Sequence, residues 1–119
     1  MREARAEGLS RRHRFRVQGS FGAVLRNSRK LRSPHAVLHV TAGKPGMSRF
    51  GIALTRRLVR SSVHRNRVKR VLREAFRRHP AKRSGLEIVV SLRVRFEPHD
   101  QVAIVEEVKA MLDQASGIR

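Results

Sequence analysis

The chain has 119 residues, and its 28 Lys and Arg against 9 Asp and Glu give a formal charge of +19. This length suits one domain with a modest core, and this charge favours an anionic partner, either nucleic acid or an anionic membrane surface. No apolar run approaches the roughly 20 residues of a membrane span, and the N-terminus lacks the apolar region of a secretory signal. Cysteine is absent, which excludes disulfides, thiolate catalysis and cysteine-based zinc sites. We therefore expect a cytoplasmic protein.

Residues 1–13 are charged and small and have no apolar period. We expect them to form a disordered basic arm that precedes a single domain over residues 14–119. An arginine-rich organelle presequence stays open as an alternative, although Glu3 and Glu7 argue against it.

The next segments predict one helix and then three strands. The helix begins at Gly19, with Ser20 as its N-cap and Phe21 on its apolar stripe. Phe21 is read either as a core residue or as a platform on which a base stacks. The predicted strands are Arg29 to Arg32, His35 to Ala42 and Arg49 to Thr55. The turn Gly43 to Gly46 predicts that the last two strands form a hairpin.

The two longer strands alternate bulky apolar residues with smaller or polar ones. Leu38 and Val40 point to one face, while Val37 and His39 point to the other. The pattern leaves two interpretations of the second face open, an ordinary solvent face or an open surface for a ligand.

Ser62 to Arg78 predicts an amphipathic helix that is capped by Ser61 or Ser62 and ends before Pro80. Its apolar side carries Val68, Val71, Leu72, Ala75 and Phe76, and its opposite side carries Asn66, Arg70, Arg73 and Arg77, flanked by Arg67 and Lys69. Guanidinium groups grip phosphates with paired hydrogen bonds and stack on bases, so this arginine-rich side favours nucleic acid over a merely solvated face. A membrane helix would need the apolar residues that here cover the sheet.

The end of the chain predicts a central strand, Leu86 to Leu92, and a last helix that starts at Pro98 to Asp100 and ends at Gly117. The predicted order is α-β-β-β-α-β-α, an α+β sandwich in which helices pack on a small four-stranded sheet.

No catalytic constellation is recognisable in the sequence. The six histidines have no metal-ligand spacing, the nine acids form no obvious two-metal cluster, and no glycine-rich phosphate loop is present. We therefore expect neither a metal nor a cofactor bound to the protein.

The run RNRVKRVLREAFR, from Arg65 to Arg77, closely resembles the R-N-R-x-K-R-x-x-R-E-x-F-R signature of the bacterial ribonuclease P protein subunit. Flanking segments agree in order, and the resemblance covers about residues 14 to 115. The approach to the signature helix, Arg56 to Val63, lacks the family's glycine and is one residue longer.

The resemblance implies the non-catalytic protein subunit of a ribonucleoprotein endoribonuclease that removes 5′ leaders from precursor tRNA. One protein would bind one catalytic RNA, which carries out the hydrolysis with Mg²⁺ bound to the RNA. It further implies a left-handed strand-helix-strand crossover around the signature helix. Carried over by position, the residues that contact the catalytic RNA are Arg65, Asn66, Arg67, Lys69, Arg70 and Arg73, and those that line a leader cleft between the first helix and the sheet are Phe21, Val37 and His39.

The residues alone leave two alternative functions besides the one that the resemblance implies. One is a general structured-RNA-binding or ribosome-associated protein with no enzymatic partner. The other, a basic DNA-binding protein, lacks an identifiable helix-turn-helix pair around residues 60–80.

Overall fold

The structure is a computed structural model that describes residues 28–117. The predicted arm and the predicted first helix, with Phe21, lie outside these residues. The described elements are β1 (Arg29–Arg32), β2 (Ala36–Ala42), β3 (Arg49–Ala53), α1 (Ser62–Arg77), β4 (Leu86–Leu92) and α2 (Gln101–Ser116), with 3₁₀ turns at Pro80–Arg83 and Pro98–Asp100.

The four strands form one mixed sheet in the order β1-β2-β4-β3. β2 is antiparallel to both of its neighbours, β1 and β4, whereas β3 and β4 are parallel. The prediction that Leu86 to Leu92 is a central strand is confirmed. The predicted hairpin between β2 and β3 is wrong, because β4 lies between these two strands. α1 connects the parallel strands β3 and β4, and the handedness of this crossover stays a prediction.

The turn after β2 shows why the hairpin does not form. The backbone N–H of Gly43 donates to the carbonyl of Gly85, at 2.8 Å, so the turn is bound to the entry of β4 and not to β3. Gly85 has φ +71°, and a Cβ atom there would lie 3.1 Å from the carbonyl oxygen of Lys44. Glycine therefore allows the two turns to touch while the chain passes on to β3.

α1 and α2 both pack on the same face of the sheet, which we call the core face. The rings of Phe50 on β3 and Phe76 on α1 stack with centroids 4.4 Å apart. Burying an apolar side chain of this kind contributes about 1.5–3 kcal/mol. The other large members of this core are Leu38, Val40, Ile52, Val59, Val68, Leu72, Ile88, Val90, Leu92, Phe96, Ile104, Val108, Met111 and Leu112. The apolar faces predicted for these strands and helices are confirmed.

Both helices begin and end near the predicted residues. Ser61 caps α1, and its side chain accepts a hydrogen bond from the backbone N–H of His64 at 3.3 Å. α2 follows the Pro98–Asp100 turn and ends at Gly117, whose φ of +80° favours glycine. Within residues 28–117, no helix is both long and apolar enough to cross a membrane.

Candidate nucleic-acid interface

The outward side of α1 carries a row of cationic and polar side chains. The sequence produces this row because Val68 and Leu72 are buried on the opposite side and orient the whole helix. Asn66, Arg67 and Arg70 are exposed, whereas Lys69 and Arg73 are half-buried. We call these five residues, Asn66, Arg67, Lys69, Arg70 and Arg73, the α1 ridge. The structure thus brings five of the six residues predicted to contact catalytic RNA onto one side of one helix.

Arg65, the sixth residue of that prediction, is turned toward the loop before α1. Its Nη1 donates to the backbone carbonyls of Val59, at 2.8 Å, and Arg60, at 3.1 Å. Part of the guanidinium group is therefore committed to holding the loop. A contact between Arg65 and RNA stays a prediction.

Glu74, the one acid of α1, lies at the C-terminal part of the helix and pairs with Arg77 and Arg78. The hydrogen bond from Arg77 is the main cause that lowers the pKa of the Glu74 carboxyl, and the charges of both arginines add to it. The acid is thus engaged by its own neighbours. Arg67 and Arg70, nearer the N-terminus of the helix, are exposed to solvent.

A second group of cations lies on the loop before α1 and on the segment after β4. Arg56, Arg57 and Arg60 are exposed on the preceding loop, and Arg93 and Arg95 are exposed after β4. These loops are joined because the backbone N–H of Phe96 donates to the carbonyl of Leu58, at 2.8 Å. They border a hollow of about 220 Å³ whose lining includes His64 and Phe96. Sequence reasoning missed Arg95, which lines this hollow together with Arg60, although an arginine shortly after a buried strand is a signal for such a position. Arg93 instead donates from Nη1 to the backbone carbonyl of Ser33, at 2.9 Å.

The other side of the sheet, which we call the outer face, carries Val37 and His39. Val37 is half-buried, whereas His39 is only 7% exposed and Val89 beside it is fully buried. The His39 ring hydrogen-bonds the hydroxyls of Ser28, at 3.4 Å, and Ser91, at 3.0 Å. The outer face is therefore not open at His39 and Val89. The assignment of Val37 and His39 to leader binding stays a prediction.

The environment of His39 favours the neutral form of its ring. Burial is the largest cause that lowers the pKa of His39, followed by the positive charges of Lys30 and Arg32 on β1. A neutral ring can accept one hydrogen bond and donate another, which fits its two serine partners. In the described part of the chain, no group of three or more His, Asp or Glu side chains is arranged to hold a metal ion.

The proteins that this sequence resembles all belong to one family. The family model described as Ribonuclease P matches residues 9–116. The ribonuclease P protein component of Nitrosomonas eutropha is 37% identical over 106 residues, which cover 87% of each chain. That of Nitrosomonas europaea is 36% identical over 108 residues, which cover 91% of each chain.

Solved structures agree with this result. The RNase P protein from Thermotoga maritima superposes with a TM-score of 0.74 and 28% identity, over 87% of this chain and 97% of that chain. The RNase P protein from Staphylococcus aureus has a TM-score of 0.69 at 22% identity, over 91% and 92% of the two chains, and this likeness shows the fold alone. Since the matched family model spans nearly the whole chain, the chain belongs to the ribonuclease P protein family.

Proposed function

We propose that this chain is the protein subunit of ribonuclease P and that it binds the catalytic RNA through the α1 ridge. The observation that carries the proposal is the pair Arg67 and Arg70, both exposed on a helix whose opposite side is locked into the core. One protein would act with one RNA in the cytoplasm. The protein would serve as the non-catalytic part of an endoribonuclease.

The energetics of α1 support this role. Like charges three or four residues apart, such as Arg67 and Arg70, repel each other by a few tenths of a kcal/mol per pair in an isolated helix. RNA phosphates would relieve this repulsion and would release counterions on binding. Because packing already fixes the helix, little additional ordering of the backbone would be needed when RNA binds.

The chemistry would belong to the RNA partner. Mg²⁺ on the catalytic RNA would supply the activated water and would stabilise the leaving oxygen. This chain would contribute cations that orient the RNA and a surface for the 5′ leader of precursor tRNA. The family resemblance supports Phe21, Val37 and His39 as leader contacts, and of these Val37 is half-exposed on the outer face.

Reconstitution with a ribonuclease P RNA and a leader-bearing precursor tRNA tests the proposal. We expect the protein alone to cleave nothing and the complex to cleave at a lower Mg²⁺ concentration than the RNA alone. Phe21→Ala should weaken the binding of precursor tRNA more than that of mature tRNA. Cleavage of precursor tRNA by the isolated protein would overturn the assignment of the chemistry to the RNA.

A general RNA-binding protein is the second candidate, because the α1 ridge offers cations that suit phosphates and phosphate contacts carry no sequence information. Competition with unrelated structured RNAs separates the two candidates. Equal affinity for all of them would favour general binding. A clear preference for the ribonuclease P RNA at the same salt concentration would favour the specific complex.

A further inference from the structure

The edge strand β1 places two cations on the outer face of the sheet. In the antiparallel register, Lys30 lies opposite His39 and Arg32 lies opposite Val37. Residues that face each other in this way project to the same side of a sheet. Lys30 and Arg32, which we call the β1 cation pair, therefore flank the two strand residues that the family resemblance connects with the leader.

Both cations are available for a ligand. Lys30 and Arg32 are exposed, and within residues 28–117 neither of them is ion-paired. The one acid in the four strands, Glu87, forms its ion pair with Arg49 on β3. The positive charges of the β1 cation pair act on His39 of the outer face, where they add to the effect of burial in lowering the pKa of its ring. The outer face therefore has a positive rim along β1.

We propose that the β1 cation pair holds successive phosphates of the single-stranded 5′ leader along the edge of the outer face. This inference rests on the proposed function and names the part of the surface that binds the leader backbone. Residues two apart on a strand are separated by about 6.6–6.8 Å, which is close to the distance between neighbouring phosphates in an extended single strand. Single-stranded RNA is commonly bound by such a cationic track beside a stacking surface.

Edge strands also carry Lys and Arg simply to prevent pairing with another chain, and β1 contains a matched control for this alternative. Arg29 is exposed on the same strand but lies opposite Val40, a residue of the core face. Arg29 thus has the same charge and the same edge position, yet it projects away from the outer face. A role in protecting the edge would involve Arg29 as much as Lys30, whereas a role in leader binding would not.

The test uses the reconstituted complex of catalytic RNA and full-length protein. The Lys30→Gln/Arg32→Gln double variant is compared with Arg29→Gln on substrates with a leader of several nucleotides and with a one-nucleotide leader. We expect the double variant to bind the long-leader substrate about tenfold more weakly, with a log-log salt dependence about 1.4 less steep, because single-strand phosphates contribute about 0.7 each. Its binding of the short-leader substrate, and every property of Arg29→Gln, should change less than twofold.

Several outcomes would overturn the inference. Equal losses for both leader lengths would place the β1 cation pair against another part of the RNA. Equal losses for Arg29→Gln would support edge protection, and unchanged binding in the double variant would leave the pair without a role in leader binding. Equal melting temperatures of the variants exclude misfolding as the cause. If the wild-type protein itself failed to bind the catalytic RNA, the proposed function would fail, whereas leader-dependent binding that survives in the double variant refutes this inference alone.

Discussion

The two helices in the described part of the protein have the same length and pack on the same side of the sheet, but one carries a net positive charge and the other a net negative charge. α1 and α2 each have 16 residues and pack on the core face. α1 exposes arginines and contains one acid, whereas α2 contains the acids Glu106, Glu107 and Asp113 and one cation, Lys109. The cations Arg67 and Arg70 of α1 are exposed to solvent. The charges of α2 are largely used inside the protein.

Two of the three acids of α2 bind histidines from other parts of the fold. Glu107 lies 2.6 Å from Nδ1 of His35, in the turn between β1 and β2. Asp113 lies 2.6 Å from Nε2 of His79, just after α1. Nδ1 of His79 accepts the N–H of Ala81, so its Nε2 carries the proton that is donated to Asp113. α2 is thereby attached to the β1–β2 turn and to the segment that follows α1, so that Glu107 and Asp113 serve contacts inside the protein.

The largest effect that the comparison predicts is on RNA binding by the α1 ridge. Arg67→Ala or Arg70→Ala should weaken the binding of catalytic RNA by about tenfold to a hundredfold, the range for a lost hydrogen bond to a charged group. Stability should stay the same or rise by a few tenths of a kcal/mol, because repulsion along the helix is relieved. Filter binding at several salt concentrations and thermal unfolding measure both quantities.

Lys109→Ala on α2 is the control for these ridge variants, since it removes one cation from the other helix. Its side chain is 48% exposed and forms a loose pair with Glu106 at 3.4 Å. We expect less than a twofold change in RNA binding. An effect as large as that of Arg70→Ala would mean that total charge, and not the α1 ridge, determines affinity.

The amphipathic character of α1 and α2, with their caps and ends, was predictable because side chains that recur every three or four residues determine which side is buried. Strand pairing was not predictable from the sequence. The turn residues Gly43 to Gly46 allow the chain to reverse direction both when β3 pairs with β2 and when β4 takes that place. That choice depends on the contact of this turn with Gly85, a residue 39 positions beyond Gly46 in the sequence. Contacts at such separations leave no local periodicity.

The exposure of the candidate residues was predictable on the helix and less predictable on the sheet. A cationic side opposite an apolar one places Arg67 and Arg70 at the surface whatever the topology. The environment of His39 depends on Ser28 and Ser91, which belong to two other segments of the chain. Alternation along β2 identifies the face to which His39 points but not its hydrogen bonds or its exposure.

A smaller effect, on stability, is expected from the pair His35 and Glu107. The hydrogen bond with Glu107 is the main cause that raises the pKa of His35, against a smaller lowering by burial. Burial acts to raise the pKa of Glu107, but the hydrogen bonds from Ser33 and His35 outweigh it, so that this pKa is lowered. The contribution of His35 is complete below its ordinary pKa of 6.5 and is lost as the pH rises through the raised value. That of Glu107 is complete above its ordinary pKa of 4.5 and is lost as the pH falls through the lowered value.

Glu107→Gln should therefore lower the melting temperature most between pH 4.5 and 6.5, where both groups are charged. Since the His35 side chain is 25% exposed, solvent reduces the effect to about 1 kcal/mol, or about 4 °C. Glu106→Gln is the matched control, because it removes the same charge from the neighbouring residue, whose side chain is 67% exposed. Equal shifts for the two variants, or a shift for Glu107→Gln that stays constant as the pH rises through the titration of His35, would contradict a specific pair with His35.

The smallest predicted effect concerns Arg65, which lies on α1 but acts inward, as the acids of α2 do. Arg65→Gln should release the carbonyls of Val59 and Arg60, expose the loop to protease and weaken RNA binding about fivefold, by misplacing the arginines of the loop. The salt dependence distinguishes this positioning role from a direct contact. Losing a phosphate contact makes the log-log dependence about 0.7–0.9 less steep, and we expect that change for Arg67→Gln but not for Arg65→Gln. If the two variants lost the same salt dependence and the loop stayed protected, Arg65 would be a phosphate ligand like its neighbours on the α1 ridge.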